Sequence, residues 1–116
     1  MIRFCQLWAH QVQAARALPG PGYLSVLRWV HEIVRPATYV EIGVRWGTSL
    51  RVALPQSRCF GIDPSPALRR RPAANTRIFK MTSDAFFERY NLPELLGSPY
   101  VSLAFIDGLH TTQSVV

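Results

Sequence analysis

The sequence predicts an α/β fold in which helices cover a partial parallel sheet of about four strands. Short apolar segments, rich in β-branched and aromatic residues, alternate along the chain with segments of helical periodicity. Each apolar segment also ends at or just before an acidic residue, as expected for strands that bring polar groups to one edge of a sheet. With 116 residues, 48% of them hydrophobic and 17% charged, the chain has the composition of a single packed domain and not of a disordered segment.

Two helices are predicted before the sheet. In residues 4–18 the apolar side chains of Trp8, Val12 and Ala15 recur at helical spacing, and the Pro-Gly-Pro-Gly run at 19–22 then breaks the chain. A second helix is predicted over residues 23–34, ending before Pro36. We expect residues 1–36 to form a helical cap on one face of the sheet and residues 37–116 to form the sheet domain.

Four strands and their connections follow. The predicted strands are residues 39–44, 58–63, 76–81 and 101–107. Helices are predicted at 48–54 and 83–90, the second capped by Ser83, with a short helix at most at 67–71 and the start of another at 111–116. Right-handed crossovers between parallel strands then predict the spatial order three, two, one, four.

Charge and cysteine content favour a soluble protein that acts on a small molecule over a nucleic-acid-binding, membrane or secreted protein. The net charge is +6, but the basic residues are scattered except for one run at 69–71, which favours a solvated basic face over a nucleic-acid interface. We find no signal peptide and no membrane-spanning run. Cys5 and Cys59 are far apart in the sequence and do not have the spacing of metal ligands. We therefore expect the protein to reside in the reducing cytoplasm.

Acidic residues mark the carboxyl ends of the predicted strands. Glu41, Asp63 and Asp107 end three strands, and Asp84 lies just past the remaining one, in a chain with only seven acidic residues. Open parallel sheets bind ligands at this rim. Asp84 is equally explained as a residue of a helix start, whereas Glu41, which lies within an apolar strand close to Gly43, favours a functional role.

The turn after the first strand has the residues of a ligand loop. Gly43 and Gly47 permit a tight turn and a close approach of backbone to ligand. Thr48 and Ser49 open the predicted helix, where free N–H groups attract anions. The Gly-x-x-x-Gly spacing differs from the Gly-x-Gly-x-x-Gly of dinucleotide-binding loops.

Three motifs, taken together, resemble those of class I S-adenosylmethionine-dependent methyltransferases. They are Glu-Ile-Gly-Val-Arg-Trp-Gly-Thr-Ser at 41–49, Gly-Ile-Asp-Pro at 61–64 and Phe-Ile-Asp-Gly-Leu-His at 105–110. The resemblance extends over residues 39–116 and is strongest to the methyltransferase 24 and catechol-type O-methyltransferase branch. It implies a Rossmann-like domain that transfers a methyl group from S-adenosylmethionine to an oxygen of a small-molecule acceptor.

The resemblance also implies a role for each residue of the first motif. Gly43 and Gly47 would lie against the methionine part of the cofactor, beside the helix start at Thr48. Ser49 would bind the cofactor's carboxylate, and Glu41 would hold its amino group directly or through water.

The later motifs would complete the site. Asp63 would accept hydrogen bonds from the ribose hydroxyls, and Ser83 and Asp84 would border the adenine. Asp107 matches a position that binds a divalent cation such as Mg²⁺ in the catechol-type enzymes. His110 lies where those enzymes have a lysine general base, and histidine suits proton transfer near neutral pH.

Several features keep other interpretations open. Enzymes of this family continue beyond the position matching Val116, so we expect a truncated form that is inactive alone and self-associates through an exposed strand edge. Arg45 and Trp46 are bulkier than the usual loop residues. One alternative is a nicotinamide-dependent oxidoreductase half-domain, because Asp63 lies 20 residues after Gly43. The other is a non-catalytic remnant or interaction fragment.

Overall fold

The computed structural model describes residues 22–107, which form one four-stranded sheet with helices on both of its faces. The elements are α1 (Gly22–Val34), β1 (Thr38–Ile42), a 3₁₀ turn (Leu50–Val52), β2 (Arg58–Ile62), β3 (Thr76–Phe79), α2 (Ser83–Arg89), α3 (Leu92–Leu96) and β4 (Leu103–Ile106). The helix predicted at 4–18 and the helix start predicted at 111–116 lie outside the described residues. Within the described range, no helix has the length and apolar character needed to cross a membrane.

The sheet confirms the predicted topology. All strand pairs are parallel and the order is β3-β2-β1-β4, so the first strand lies inside the sheet. β1 pairs with β2 from Thr38 to Ile42 and with β4 from Tyr39 to Ile42. All five residues of β1 are buried, which explains why this strand is mostly apolar instead of alternating. The result is a partial α/β, Rossmann-like fold.

One face of the sheet carries the larger hydrophobic core. Side chains from β1, β2, β3 and β4 meet α2 and α3 there, and Phe79 contacts Phe86 edge-on with ring centroids 5.0 Å apart. The buried members of this core are Val40, Ile42, Phe60, Ile62, Phe79, Phe86, Leu92, Leu96, Val101 and Ala104.

The opposite face is covered by α1 and the 3₁₀ turn. Leu27 of α1 is buried against the sheet, and the ring of Tyr23 stacks on Phe105 with a centroid separation of 6.1 Å. The buried hydrophobic members of this second core are Leu27, Tyr39, Val44, Leu50, Cys59, Leu103 and Phe105. Helix α1 therefore lies on one face of the sheet.

One predicted helix is wrong, and the segment for which a short helix at most was predicted has none. Residues 48–54 form only the 3₁₀ turn (Leu50–Val52), because the Ser49 hydroxyl binds Glu41 instead of capping the segment and Pro55 leaves no room to extend it. Residues 67–71 form no helix. The backbone N–H groups of Ala67 and Arg69 instead donate to the carbonyls of Arg45 and Trp46, which fixes this segment to the loop after β1.

Helix α2 begins at Ser83 as predicted, but its capping residue differs, and one further helix is present. Thr82, not Ser83, is the N-cap of α2, and its side chain accepts a hydrogen bond from the Ala85 amide. Helix α3 was not predicted, although Asn91 caps it and Gly97 ends it in the left-handed conformation. Its five residues are too few for a periodic apolar pattern to be visible in the sequence.

Candidate functional site

A pocket of about 160 Å³ opens where β1 and β4 end side by side. This is the point at which the chain order reverses in the sheet, the usual ligand position in folds of this type. The Asp107 amide donates to the Ile42 carbonyl at 2.9 Å, which fixes the end of β4 beside the loop that follows β1. The lining residues are Tyr23, Gly43, Val44, Arg45, Trp46, Thr48, Ser49 and Asp107. The structure thus brings together four of the predicted site residues, namely Gly43, Thr48, Ser49 and Asp107.

The loop after β1 turns sharply, and its two glycines line different cavities. Gly43 and Gly47 have φ values of 89° and 83°, which L side chains rarely adopt. Gly43 lines the pocket, whereas Gly47 lines a separate cavity of about 230 Å³ on the other side of the loop. A Cβ atom at Gly47 would lie 2.9 Å from Leu68 Cδ2. The structure therefore explains Gly47 by backbone conformation and packing.

Asp63 holds the loop after β1 from behind. Its Oδ2 accepts hydrogen bonds from the Val44 and Arg45 amides, both at 2.8 Å, and its Oδ1 accepts one from the Ser65 amide at 2.8 Å. Arg45 has a φ of 51°, so these bonds stabilise an unusual backbone conformation. The carboxylate is buried and its oxygens already bind three donors, which leaves little acceptor capacity for the predicted ribose contact.

Glu41 lies beneath the pocket and is fully buried. Tyr39 and Glu41 are two residues apart on β1 and therefore share a face, and the Tyr39 hydroxyl donates to Glu41 Oε1 at 2.7 Å. The Ser49 hydroxyl donates to Glu41 Oε2, also at 2.7 Å. Burial raises the pKa of Glu41 to about 8, although the hydrogen bonds from Ser49 and Tyr39 act in the opposite direction. Glu41 does not line the pocket, but Ser49 connects it to the lining.

Ser83 and Asp84 begin α2, beyond the end of β3. Neither residue lines the pocket at β1 and β4, and Asp84 is exposed. One strand, β2, lies between β3 and β1 in the sheet. The predicted adenine-binding residues are therefore at the expected edge of the sheet, but away from this pocket.

Asp107 is the carboxylate that β4 brings to the pocket, where it is partly exposed. Among residues 22–107, no group of three or more His, Cys, Asp or Glu side chains is placed to hold a metal ion. A divalent cation bound by Asp107 alone would keep mostly water ligands, so residues 22–107 supply one ligand of the predicted metal site and do not complete it. His110 lies outside the described residues.

Sequence reasoning did not assign Tyr23, Arg45 and Trp46 to the site. Tyr23 comes from α1, and burial, followed by the charges of Asp107 and Glu41, raises the pKa of its hydroxyl. Trp46 is 48% exposed, and the Arg69 guanidinium lies 4.2 Å from the centre of its ring. The unusual bulk of Arg45 and Trp46 was a sequence signal for this site. Nothing in the sequence of α1 indicated that Tyr23 reaches the pocket.

Comparison with known proteins assigns no family to the chain. No protein-family model matches the chain, and no curated protein matches its sequence. The fold and the pocket residues are therefore the observations from which a function can be argued.

Proposed function

We propose that the chain binds S-adenosylmethionine and belongs to an S-adenosylmethionine-dependent methyltransferase of class I that acts in the cytoplasm on an oxygen of a small-molecule acceptor. The observation that supports this proposal best is the position and charge of the pocket. It lies at the ends of β1 and β4, carries the Asp107 carboxylate and lies above the buried acid Glu41. A pocket of this kind favours a ligand with a cationic group.

The pocket residues suit the amino-acid end of the cofactor. Asp107 can accept hydrogen bonds from an ammonium group, and the Arg45 guanidinium can bind a carboxylate. The Thr48 and Ser49 hydroxyls lie in the same lining. A volume of about 160 Å³ is smaller than the ~300–1,000 Å³ of pockets for drug-sized ligands, so this pocket would hold one end of the cofactor. Ser83, Asp84 and the remaining acceptor capacity of Asp63 are proposed for the nucleoside end.

The same residues argue against a nicotinamide dinucleotide. In dinucleotide folds the pyrophosphate lies at the N-terminus of the helix after the first strand, where free N–H groups face the anion. Here that segment is only a three-residue 3₁₀ turn, which does not provide the N-terminus of an α-helix. Phosphates at this edge would also meet the negative charge of Asp107.

When bound, the cofactor supplies a sulfonium-activated methyl group, so the protein has mainly to position the acceptor. Tyr23 and Trp46 provide aromatic surfaces at the pocket for a small planar acceptor. His110 remains the proposed general base that removes the acceptor's proton.

Calorimetric titration with S-adenosylmethionine, S-adenosylhomocysteine and NAD tests the proposal. We expect both sulfur compounds to bind and NAD to bind more weakly. Asp107→Asn removes a charged acceptor, which costs about 1.5–3 kcal/mol and so weakens binding of S-adenosylmethionine roughly tenfold to more than a hundredfold. Glu88→Gln, an exposed change on α2 away from the pocket, is the matched control.

A transfer assay with methyl-labelled cofactor and hydroxylated acceptors then separates an enzyme from a binding remnant. Turnover that is lost in Asp107→Asn but kept in Glu88→Gln supports the methyltransferase and contradicts the expectation that the chain is inactive alone. Tighter binding of NAD than of S-adenosylmethionine would reject it in favour of the oxidoreductase alternative.

A further inference from the structure

A continuous hydrogen-bonded path connects the buried acid Glu41 to the pocket through a single hydroxyl. The Ser49 Oγ lies 2.7 Å from Glu41 Oε2, and Ser49 also lines the pocket. Tyr39 binds the other carboxyl oxygen, Oε1, at 2.7 Å, but does not line the pocket. Ser49 is thus the residue through which the protonation state of Glu41 can influence a ligand in the pocket.

The proton on Glu41 determines what Ser49 can offer to a ligand. When Glu41 is ionised, the Ser49 O–H donates to Oε2, and the lone pairs of Oγ remain free to accept from a ligand. When Oε2 carries a proton, Glu41 donates to Ser49, and the Ser49 O–H is free to donate to a ligand. While the proton is on Oε2, the Tyr39 hydroxyl continues to donate to Oε1. Burial and the Glu41 charge hold the pKa of Tyr39 well above its usual value.

The groups that face Glu41 oppose its ionisation. Asp107, after β4, and Asp63, after β2, both raise its pKa, in addition to the larger effect of burial. Burial raises the pKa of Cys59 on β2 and of Tyr23 on α1, and the charge of Glu41 adds a smaller effect in the same direction. His31 on α1 packs edge-on against Tyr39, with ring centroids 4.4 Å apart, and is neutral near pH 7 because burial lowers its pKa to about 4. A cationic ligand group would reverse this balance by favouring the ionised carboxylate.

We propose that Ser49 and Glu41 form a protonation switch in the pocket floor, in which docking of a cationic ligand group expels the Glu41 proton to solvent and turns Ser49 from a donor into an acceptor. The switch rests on the proposed function, since it takes the cofactor's ammonium and sulfonium as the cationic groups. It makes Ser49 a positioning residue that donates to the ligand when Glu41 is protonated and accepts from it when Glu41 is ionised. It also makes ligand affinity depend on pH through a side chain that the ligand does not touch.

The test is calorimetric titration of the 116-residue chain with S-adenosylmethionine at pH 7, in buffers of different ionisation enthalpy, which gives the protons released per ligand bound. Glu41→Gln keeps the shape of the side chain and cannot ionise, so any release that remains belongs to the ligand and the other groups. We expect wild type to release close to one proton more than Glu41→Gln, since a group with a pKa of about 8 is mostly protonated at this pH.

Two further variants test the route. Ser49→Ala removes the link to the pocket, and we expect it to lose most of the additional proton release. Tyr39→Phe removes the other hydrogen bond to Glu41 without changing the pocket lining, and we expect it to keep the release. Isotope-edited infrared spectroscopy of wild type provides a measurement that needs no variant to fold, and the band of a protonated glutamic acid should disappear on binding.

The outcomes separate the switch from the proposed function. Binding with equal proton release in wild type and Glu41→Gln would overturn the switch and leave the cofactor assignment standing. Release in Ser49→Ala equal to that in wild type would overturn the route through Ser49. If S-adenosylmethionine does not bind to wild type at all, the proposed function is wrong and the switch fails with it.

Discussion

At the scale of single residues, Asp63 matches a ligand-binding motif in the sequence and also stabilises the backbone of two loops. Its place at the end of β2 is the place predicted from the sequence. There its carboxylate accepts three backbone N–H groups and so joins the loop after β1 to the loop after β2. Loss of cofactor affinity in an Asp63 variant would therefore include the loss of loop geometry as well as any lost ligand contact.

Asp63→Ala should destabilise the chain even when no ligand is present. The change leaves the Val44 amide, whose bond to Asp63 is buried, and the Arg45 amide without their acceptor. Unsatisfied buried donors cost about 1–3 kcal/mol each, so we expect the free energy of unfolding to fall by about 2–6 kcal/mol in a urea titration. Asp63→Asn keeps one oxygen acceptor and should lose less. An alanine variant within about 0.5 kcal/mol of wild type, the usual range for surface changes, would show that the loop holds without Asp63.

A second residue-scale prediction concerns His31 and acid. The side chain is fully buried, and neither ring nitrogen has a hydrogen-bond partner in the structure of residues 22–107. Burial lowers the pKa of His31 to about 4 from an ordinary value of 6.5. Between these values the unfolded chain binds more protons than the folded one, so the free energy of unfolding falls as the pH drops from about 6.5 to about 4.

The size of the His31 effect follows from the same shift. A change of one pKa unit corresponds to about 1.4 kcal/mol, so a shift from 6.5 to about 4 corresponds to a loss on the order of 3 kcal/mol. His31→Leu cannot be protonated, and the difference between wild type and this variant isolates the effect from that of the carboxyl groups. Denaturant titrations at several pH values measure it. Parallel stability curves for the two proteins across this range would contradict the prediction.

At the scale of elements, the strands could be predicted from the sequence and the short helices could not. Buried parallel strands such as β1 and β2 are continuous apolar runs with an acidic residue close to their end, and this pattern requires no knowledge of the rest of the fold. The 3₁₀ turn (Leu50–Val52) depends on a contact between Ser49 and Glu41, which are eight residues apart in the sequence. Helix α3 depends on its Asn91 and Gly97 caps more than on periodicity.

The candidate site divides in the same way. Gly43, Ser49 and Asp107 could be placed at one rim, because each of them follows a recognisable strand. Tyr23 could not, since its position depends on how α1 packs on Phe105. The difference between Gly43 and Gly47 also required the tertiary structure, because only there does Leu68 come within contact of Gly47.

The N-cap of α2 gives a prediction at this scale with a built-in control. Thr82 Oγ1 accepts a hydrogen bond from the Ala85 amide at 3.1 Å, whereas Ser83 is the first helical residue and is not the cap. Thr82→Ala should therefore lower the free energy of unfolding by about 0.5–2 kcal/mol. Ser83→Ala should change it little, because alanine is the best helix former. Thermal unfolding of both variants measures the difference, and an equal or larger loss in Ser83→Ala would show that the cap is misplaced.

At the scale of the whole molecule, the sheet is shared by two hydrophobic cores. β1 contributes Val40 and Ile42 to the core under α2 and α3, and Tyr39 to the core under α1. Neither core is complete without this strand. We therefore expect α1 to fold together with the sheet, even though the sequence placed it in a cap of residues 1–36 that is distinct from the sheet domain.

Paired core variants test that expectation. Leu27 in α1 is 2% exposed and Phe86 in α2 is fully buried, so the two lie in different cores. Leu27→Ala should cost about 2–5 kcal/mol and Phe86→Ala about 3–5 kcal/mol. If the chain is cooperative, each variant lowers the midpoint of one common transition, and circular dichroism and amide hydrogen exchange report the same loss in both. If Leu27→Ala instead lets the amides of α1 exchange while those of β1 and β2 keep their protection, then α1 is an independent cap. The pocket would in that case gain its Tyr23 wall only when the cap docks, and ligand affinity in Leu27→Ala would fall much further than in Phe86→Ala.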